Sequence, residues 1–160
     1  MNVANLLCRS AAFFPQRPAV CEKDSETSYA KLHESSNRVA DGLRVLGVQP
    51  GDYVGICAPN STDWLTVYFG ILKIGAVAVT FSYGLQPEEL GLLVTHANPR
   101  IVFTDESRAH HFEELKKHSG IEIVISDRAE YSLAALLKNG RPDFAIVDRD
   151  RTDTAAVLYT

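Results

Sequence analysis

The chain has 160 residues, of which 46% are hydrophobic and 22% charged, so it can bury one core of ordinary size and is predicted to form one domain. Its formal net charge of −4 argues against nucleic-acid binding, which needs a clustered basic face to neutralise phosphates. Cys8, Cys21 and Cys57 stand in no Cys-x-x-Cys spacing, which predicts neither disulfides nor a zinc site and favours a reducing cytoplasm.

The first half of the chain predicts helices separated by short strands. Apolar spacing indicates a helix over residues 3–14 and a longer amphipathic helix that begins after Thr27 or Ser28 and ends at Gly47. Asn60 is predicted to cap a third helix, which is apolar almost all round. The expected order is helix 3–14, strand 19–21, the long helix, strand 53–58 and helix 61–74.

The second half continues the alternation of strands and helices. Strands are predicted over 76–80, 100–104, 121–126 and 155–159, and helices over 87–97, 107–117 and 133–138. Short alternating units of this kind are typical of right-handed parallel βαβ packing. The predicted fold class is therefore α/β, a three-layer, mostly parallel sheet with helices on both faces.

Residues 65–85 form a long and almost uncharged stretch that is close to the ~20 residues a membrane-spanning helix needs. Lys73 lies in the middle, where insertion into a bilayer costs a few kcal/mol. Gly75 is followed by a run rich in β-branched residues, which favours a helix, a turn and a buried strand. No transmembrane segment is predicted, and no basic region precedes the first apolar residues as it would in a signal peptide.

Chemical motifs are sparse. The sequence contains no Gly-x-x-x-x-Gly-Lys-[Ser/Thr], Gly-x-Gly-x-x-Gly or His-Glu-x-x-His motif. His111 and His118 lie two helical turns apart among charged residues, so a solvated helix face is favoured over a metal site. Trp64, near a helix start, is expected in core packing rather than in a ligand pocket.

Four segments, in order, resemble the N-terminal part of the adenylate-forming acyl-CoA synthetases, the AMP-binding superfamily. They are residues 28–32 (Ser-Tyr-Ala-Lys-Leu), 46–54 (Leu-Gly-Val-Gln-Pro-Gly-Asp-Tyr-Val), 59–61 (Pro-Asn-Ser) and 75–77 (Gly-Ala-Val). Many family members have Pro and Asn after the last segment, where this chain has residues 80–82 (Thr-Phe-Ser). The resemblance covers nearly the whole chain, and its departures are the loop after that strand and Ser28, which replaces the more usual threonine.

The resemblance also implies candidate site residues. In the family, a Tyr-Thr pair like Tyr159-Thr160 precedes a glycine- and hydroxyl-rich loop that holds the ATP phosphates. Thr160 is therefore the predicted nucleotide contact. Tyr83, Gly84 and Arg108 resemble positions that contact CoA in similar family members, and Arg108 is the candidate for a CoA phosphate. No catalytic residue and no metal ligand is predicted within the chain.

By the same resemblance, residues 1–160 form a single α/β domain, the N-terminal fragment of a longer chain, and are expected to be inactive alone. The parent enzyme would activate a small carboxylic acid with ATP and Mg²⁺ to an acyl-adenylate and transfer the acyl group to CoA, in the cytoplasm. The alternative is a stand-alone, non-catalytic α/β binding or assembly module. An unfinished sheet edge would then favour pairing with a partner, including a homodimer.

Overall fold

Helices and strands alternate along the chain in the computed structural model, which describes residues 1–127 and 129–159. The helices of this part of the chain are α1 (Asn5–Phe13), α2 (Tyr29–Val45), α3 (Thr62–Lys73), α4 (Pro87–Ala97), α5 (Glu106–Lys116) and α6 (Leu133–Asn139). The strands are β1 (Pro18–Glu22), β2 (Ser25–Ser28), β3 (Tyr53–Cys57), β4 (Val77–Thr80), β5 (Ile101–Thr104), β6 (Ile123–Ile125) and β7 (Ala156–Leu158).

Five strands form one parallel sheet in the order β6-β5-β3-β4-β7. Val54 of the central strand β3 is in register with Ala78 of β4 and Ile101 of β5. The edge strand β7 pairs with β4, where Ala156 lies opposite Ala78. The α/β fold with a parallel sheet is therefore confirmed.

The sheet separates two apolar cores because successive side chains of a strand point to opposite faces. Val54 and Ile56 face the core formed with α2, α3 and α6, whereas Cys57 faces the core formed with α4 and α5. Both faces of the sheet are thus covered, as expected for parallel strands reached by helical crossovers. The predicted three-layer arrangement is confirmed.

Lys73 is fully buried at the end of α3, in the contact between α3 and α2. Its Nζ donates to the carbonyl oxygen of His33 at 2.8 Å and to Oδ1 of Asn37 at 2.6 Å, and lies 3.1 Å from Nδ1 of His33. Burial lowers the pKa of Lys73 to about 7. The polar atoms around this amine let it lie inside the apolar stretch, and no helix of the described residues is long and apolar enough to cross a membrane.

The structure corrects two local predictions. Ser61, not Asn60, caps α3, since its hydroxyl accepts a hydrogen bond from the backbone N–H of Trp64 at 3.1 Å. The predicted strand around residues 19–21 is one arm of an antiparallel hairpin whose second strand, β2, was not predicted. Ser28 is confirmed as the cap of α2, and the three cysteines are free thiols.

Candidate functional site

The connections of the sheet diverge at the carboxyl ends of β3 and β5. The chain leaves β3 through α3 toward β4 on one side, and leaves β5 through α5 toward β6 on the other. Adjacent strands with diverging connections leave a crevice at their carboxyl ends, where open α/β sheets bind ligands. The topology alone therefore places the candidate site at this edge.

A cavity of about 220 Å³ occupies this crevice. Its walls are apolar side chains of three strands and two helices, and three carboxylates stand among its lining residues. The lining includes Ile56, Phe103, Ile125, Trp64, Val67, Leu133, Asp63, Asp105 and Asp127. The cavity thus combines an apolar interior with acidic groups, as small-molecule sites often do.

Two of these carboxylates differ in their surroundings. Asp105 caps α5 and accepts hydrogen bonds from the backbone N–H of Arg108 at 3.2 Å and from the Tyr83 hydroxyl at 2.6 Å. Asp63 lies in the first turn of α3, where burial, followed by the charges of Glu22 and Asp127, raises the pKa of its carboxyl. Asp105 therefore holds the start of α5 and the Tyr83 side chain in place. At Asp63, a bound cation would stabilise the charged form of the carboxyl.

A second cavity, of about 420 Å³, lies beside the first at the ends of β4 and β7. It is lined by Ala58, Asn60, Trp64, Thr80, Phe81, Ser82, Tyr83, Gly84, Leu158 and Tyr159. Trp64 lines both cavities, and its ring stacks on Tyr68 with centroids 5.2 Å apart. The tryptophan thus both packs in the fold and lines cavities, although the sequence favoured packing alone.

Tyr83 and Arg108, two of the predicted CoA contacts, are brought together. The Arg108 guanidinium lies 5.1 Å from the centre of the Tyr83 ring and donates to the carbonyl oxygens of Tyr83 at 2.5 Å and Leu85 at 2.9 Å. An arginine carries five N–H donors, so these two bonds leave donors for a phosphate. Gly84 lies in the same loop, where an added Cβ would come no closer than 4.0 Å to the Ser82 hydroxyl.

Tyr159 follows β7 directly at the same edge. Its ring stacks on Phe81, with centroids 6.0 Å apart and planes inclined by 6°. Its hydroxyl lies 2.8 Å from Nδ1 of His96 on α4. No sequence signal singled out His96, because the contact joins residues that are far apart in the chain. Thr160, the predicted nucleotide contact, lies outside the described residues.

Metal ligands do not converge in the part of the chain that the structure describes. Among residues 1–127 and 129–159, no group of three or more histidine, cysteine, aspartate or glutamate side chains could hold a metal ion. His111 and His118 lie at α5 and just after it. The predicted solvated face holds for the exposed His118, whereas His111 is half-buried and its Nε2 is buried with no hydrogen-bond partner among the described residues.

The comparisons with known proteins identify the family. A profile of the AMP-binding enzymes matches residues 7–160. The chain is 26% identical over 99% of its length to the long-chain-fatty-acid–CoA ligase FadD13 of Mycobacterium tuberculosis, covering 32% of that protein. It is 29% identical over 97% of its length to a linear gramicidin synthase polypeptide of Brevibacillus parabrevis, covering 2% of it.

Solved structures share the fold. A fatty acyl CoA synthetase of Mycobacterium tuberculosis matches 99% of this chain and 32% of its own, with a TM-score of 0.88 and 27% identity. The anthranilate CoA ligase AuaEII matches the whole chain and 32% of its own with a TM-score of 0.93, and at 22% identity supports the fold alone. The chain thus spans about a third of the CoA ligases it matches. It belongs to the family of AMP-binding enzymes.

Proposed function

We propose that residues 1–160 are the N-terminal α/β domain of a longer AMP-forming acyl-CoA synthetase. The parent enzyme would activate a carboxylic acid with ATP to an acyl-adenylate and transfer the acyl group to CoA, a reaction of the acid-thiol ligase class. The observation that carries the proposal is the family match, which runs to residue 160 and is shared with CoA ligases over nearly the whole chain.

The position of Tyr159 supports a nucleotide contact at Thr160. Tyr159 leaves β7 at the carboxyl edge of the sheet, beside the 420 Å³ cavity. Loops that leave parallel strands at this edge are where α/β proteins hold phosphates and other ligands. A threonine hydroxyl can donate a hydrogen bond to a phosphate oxygen, and this is the contact that we propose for Thr160.

The cofactors of the proposed reaction are ATP, Mg²⁺ and CoA. ATP would supply the adenylyl group, Mg²⁺ would neutralise the triphosphate, and CoA would supply the thiol. Tyr83, Gly84 and Arg108 are the proposed CoA contacts of this domain. The remaining N–H donors of Arg108 suit a phosphate of CoA, since guanidinium groups bind phosphate oxygens in a fixed geometry.

A second candidate function differs only in the acceptor of the acyl group. The similarity to the linear gramicidin synthase polypeptide extends over 97% of the chain, at 29% identity. The resemblance to the AMP-binding superfamily leaves the acceptor open, and the alternative to CoA is the thiol of a carrier protein. Both candidates share the first step, the formation of an adenylate from an acid and ATP.

The first test is acid-dependent exchange of pyrophosphate into ATP by the full-length enzyme, measured with a panel of fatty and aromatic acids. The proposal expects exchange with at least one acid, followed by thioester formation when CoA is added. Exchange without a CoA thioester would favour the carrier-protein alternative. The absence of exchange with every acid of the panel would contradict the proposed function.

A matched pair of variants tests the contact at residue 160. Thr160→Ala is expected to lower kcat/KM for ATP about tenfold, since a lost hydrogen bond to a charged group costs about 1.5–3 kcal/mol. Thr154→Ala removes an exposed hydroxyl just before β7 and should leave kcat/KM unchanged. Equal values for the two variants would contradict the role of Thr160.

A further inference from the structure

The segment that leaves β7 is held by aromatic and polar contacts from α4 and from the residue that follows β4. The ring of Tyr159 lies flat against Phe81, while the ring of His96 meets it edge-on, with centroids 5.9 Å apart and planes inclined by 79°. Nδ1 of His96 and the hydroxyl oxygen of Tyr159 are 2.8 Å apart, which is hydrogen-bond distance. The ring of Tyr159 is thus held by the stacked Phe81 ring, and its hydroxyl is held by the hydrogen bond with His96.

The two supporting residues differ in burial, since Phe81 is buried just after β4 and His96 is exposed on α4. Phe81 is 3% exposed, and its backbone N–H donates to the carbonyl oxygen of Ile56 at 2.9 Å. His96 lies in the last turn of α4, which is anchored in the core by Leu90 and Val94. Both residues are thus tied by their backbone to the packed fold, and the two together can define where the chain leaves the sheet.

We propose that His96 is a positioning residue of the enzyme: through the hydroxyl of Tyr159 it fixes the end of the segment that immediately precedes the proposed nucleotide contact. The inference rests on the proposed function, in which Thr160 is the first residue to contact ATP. A misplacement of about 1 Å in such a segment can cost on the order of a hundredfold in rate. The His96–Tyr159 hydrogen bond therefore matters for nucleotide use more than for folding.

The role assigned to His96 requires only one hydrogen-bonding atom at the position of Nδ1. An asparagine places an amide atom close to this position, whereas a leucine of similar size offers none. His96→Asn should therefore rescue what His96→Leu loses. Tyr159→Phe removes the other partner of the same bond and leaves the ring to stack on Phe81.

The test uses the full-length enzyme and the variants His96→Leu, His96→Asn, Tyr159→Phe and the double variant His96→Leu/Tyr159→Phe. We expect each single removal to lower kcat/KM for ATP about tenfold in the exchange reaction, with KM for the acid unchanged. The double variant should lose no more than either single variant, because both remove one bond. His96→Asn should stay within about threefold of the wild type.

The controls separate positioning from stability. His110→Leu replaces an exposed histidine on α5 and should leave kcat/KM unchanged, and all variants should melt within a few degrees of the wild type. Three results would overturn the inference while the proposed function stands. They are additive losses of kcat/KM in the double variant, an unchanged kcat/KM in His96→Leu, and a kcat/KM of His96→Asn as low as that of His96→Leu. A wild-type enzyme without acid-dependent exchange would overturn the proposed function and this inference with it.

Discussion

At the scale of single residues, Lys73 shows how a charge-bearing side chain is accommodated in an apolar interior. Its amine is enclosed by His33 and Asn37 of α2, and the nearby Cys8 belongs to α1. Burial lowers the pKa of Lys73 from 10.5 to about 7. The amine is therefore largely neutral above pH 7 in the folded chain, while the unfolded chain keeps its proton up to about pH 10.5.

This difference predicts a pH dependence of folding. Between about pH 7 and pH 10.5 the unfolded state binds more protons at Lys73 than the folded state, so the free energy of unfolding should rise with pH in this window. The contribution of one group cannot exceed about 1.4 kcal/mol per pH unit. Urea unfolding at pH 7, 8 and 9 measures the slope, and Lys73→Met should flatten it.

The matched control is Lys116→Met, which removes an exposed lysine of α5. It should retain the slope of the wild type. A free energy of unfolding that falls with rising pH would contradict the neutral, buried state of the Lys73 amine. A slope that Lys73→Met leaves unchanged would contradict it as well. Lys73→Met also leaves buried acceptors on His33 and Asn37 without their donor, so the variants are compared by the slope and not by their absolute stability.

At the scale of elements, the start of α3 offers a direct comparison between two adjacent polar residues. Ser61 caps the helix with its hydroxyl, whereas the sequence alone favoured Asn60. Ser61→Ala is therefore expected to cost about 1 kcal/mol of stability. Asn60→Ala should change stability by less than about 0.5 kcal/mol. Thermal or urea unfolding of the two variants measures the difference. A larger loss of stability in Asn60→Ala than in Ser61→Ala would identify Asn60 as the cap.

Replacement by alanine is expected to change the free energy of unfolding in opposite directions at two helical glycines. A Cβ at Gly70 of α3 would lie 2.5 Å from Cγ1 of Val39 on α2, because the two helices are in close contact there. Gly70→Ala should therefore destabilise the fold by about 1–3 kcal/mol. At Gly91 of α4, the nearest atom, Cδ2 of Leu115, would be 3.5 Å away, an ordinary contact.

Gly91→Ala should stabilise the chain by about 0.4–1 kcal/mol, since alanine favours helix and restricts the unfolded chain. The two variants are compared with the wild type by urea unfolding under the same conditions. A stabilising Gly70→Ala would show that α2 and α3 can move apart at no cost. A strongly destabilising Gly91→Ala would contradict the space observed around that residue.

At the scale of the whole molecule, residues 1–160 are expected to fold when isolated but to have no catalytic activity. Residues 1–160 should unfold in one cooperative transition, because the sheet has a core on each face. The same chain should show no acid-dependent pyrophosphate exchange, since its sequence contains no glycine-rich phosphate-binding motif. Circular dichroism and the exchange assay test both points, with the full-length enzyme as the control. Exchange by the short chain would contradict its role as a domain of a larger active site.

Much of the architecture followed from the sequence because hydrophobic runs and turn residues are local signals. The alternation of strands and helices predicted the parallel sheet and its covered faces, and the ends of most elements agree to within one or two residues. The strand β2 was missed because its residues, Ser-Glu-Thr-Ser, are polar and none of them is buried, so the strand is recognised by its pairing with β1 and not by a hydrophobic pattern.

The candidate site was less predictable because its contacts join distant parts of the chain. The resemblance to a family selected Tyr83 and Arg108, and the structure brings these two side chains together, while their contact with CoA stays a prediction. His96 carries no local motif, and only the folded chain places it beside Tyr159. The crevice itself depends on strand order, which a pattern of alternating elements does not determine.

The position of β7 in the sheet has a consequence for the route by which the protein folds. Strand β4 is connected to its neighbour β3 by a single short crossover. Its other edge is paired only after β7 has formed, when Ala156 lies opposite Ala78. Closing so large a loop is slow and must follow the nearer pairings. During synthesis on the ribosome, Ala78 and Val79 would remain open to pairing with other nascent chains until β7 emerges. The edge of β4 is therefore open to incorrect strand pairing until β7 covers it.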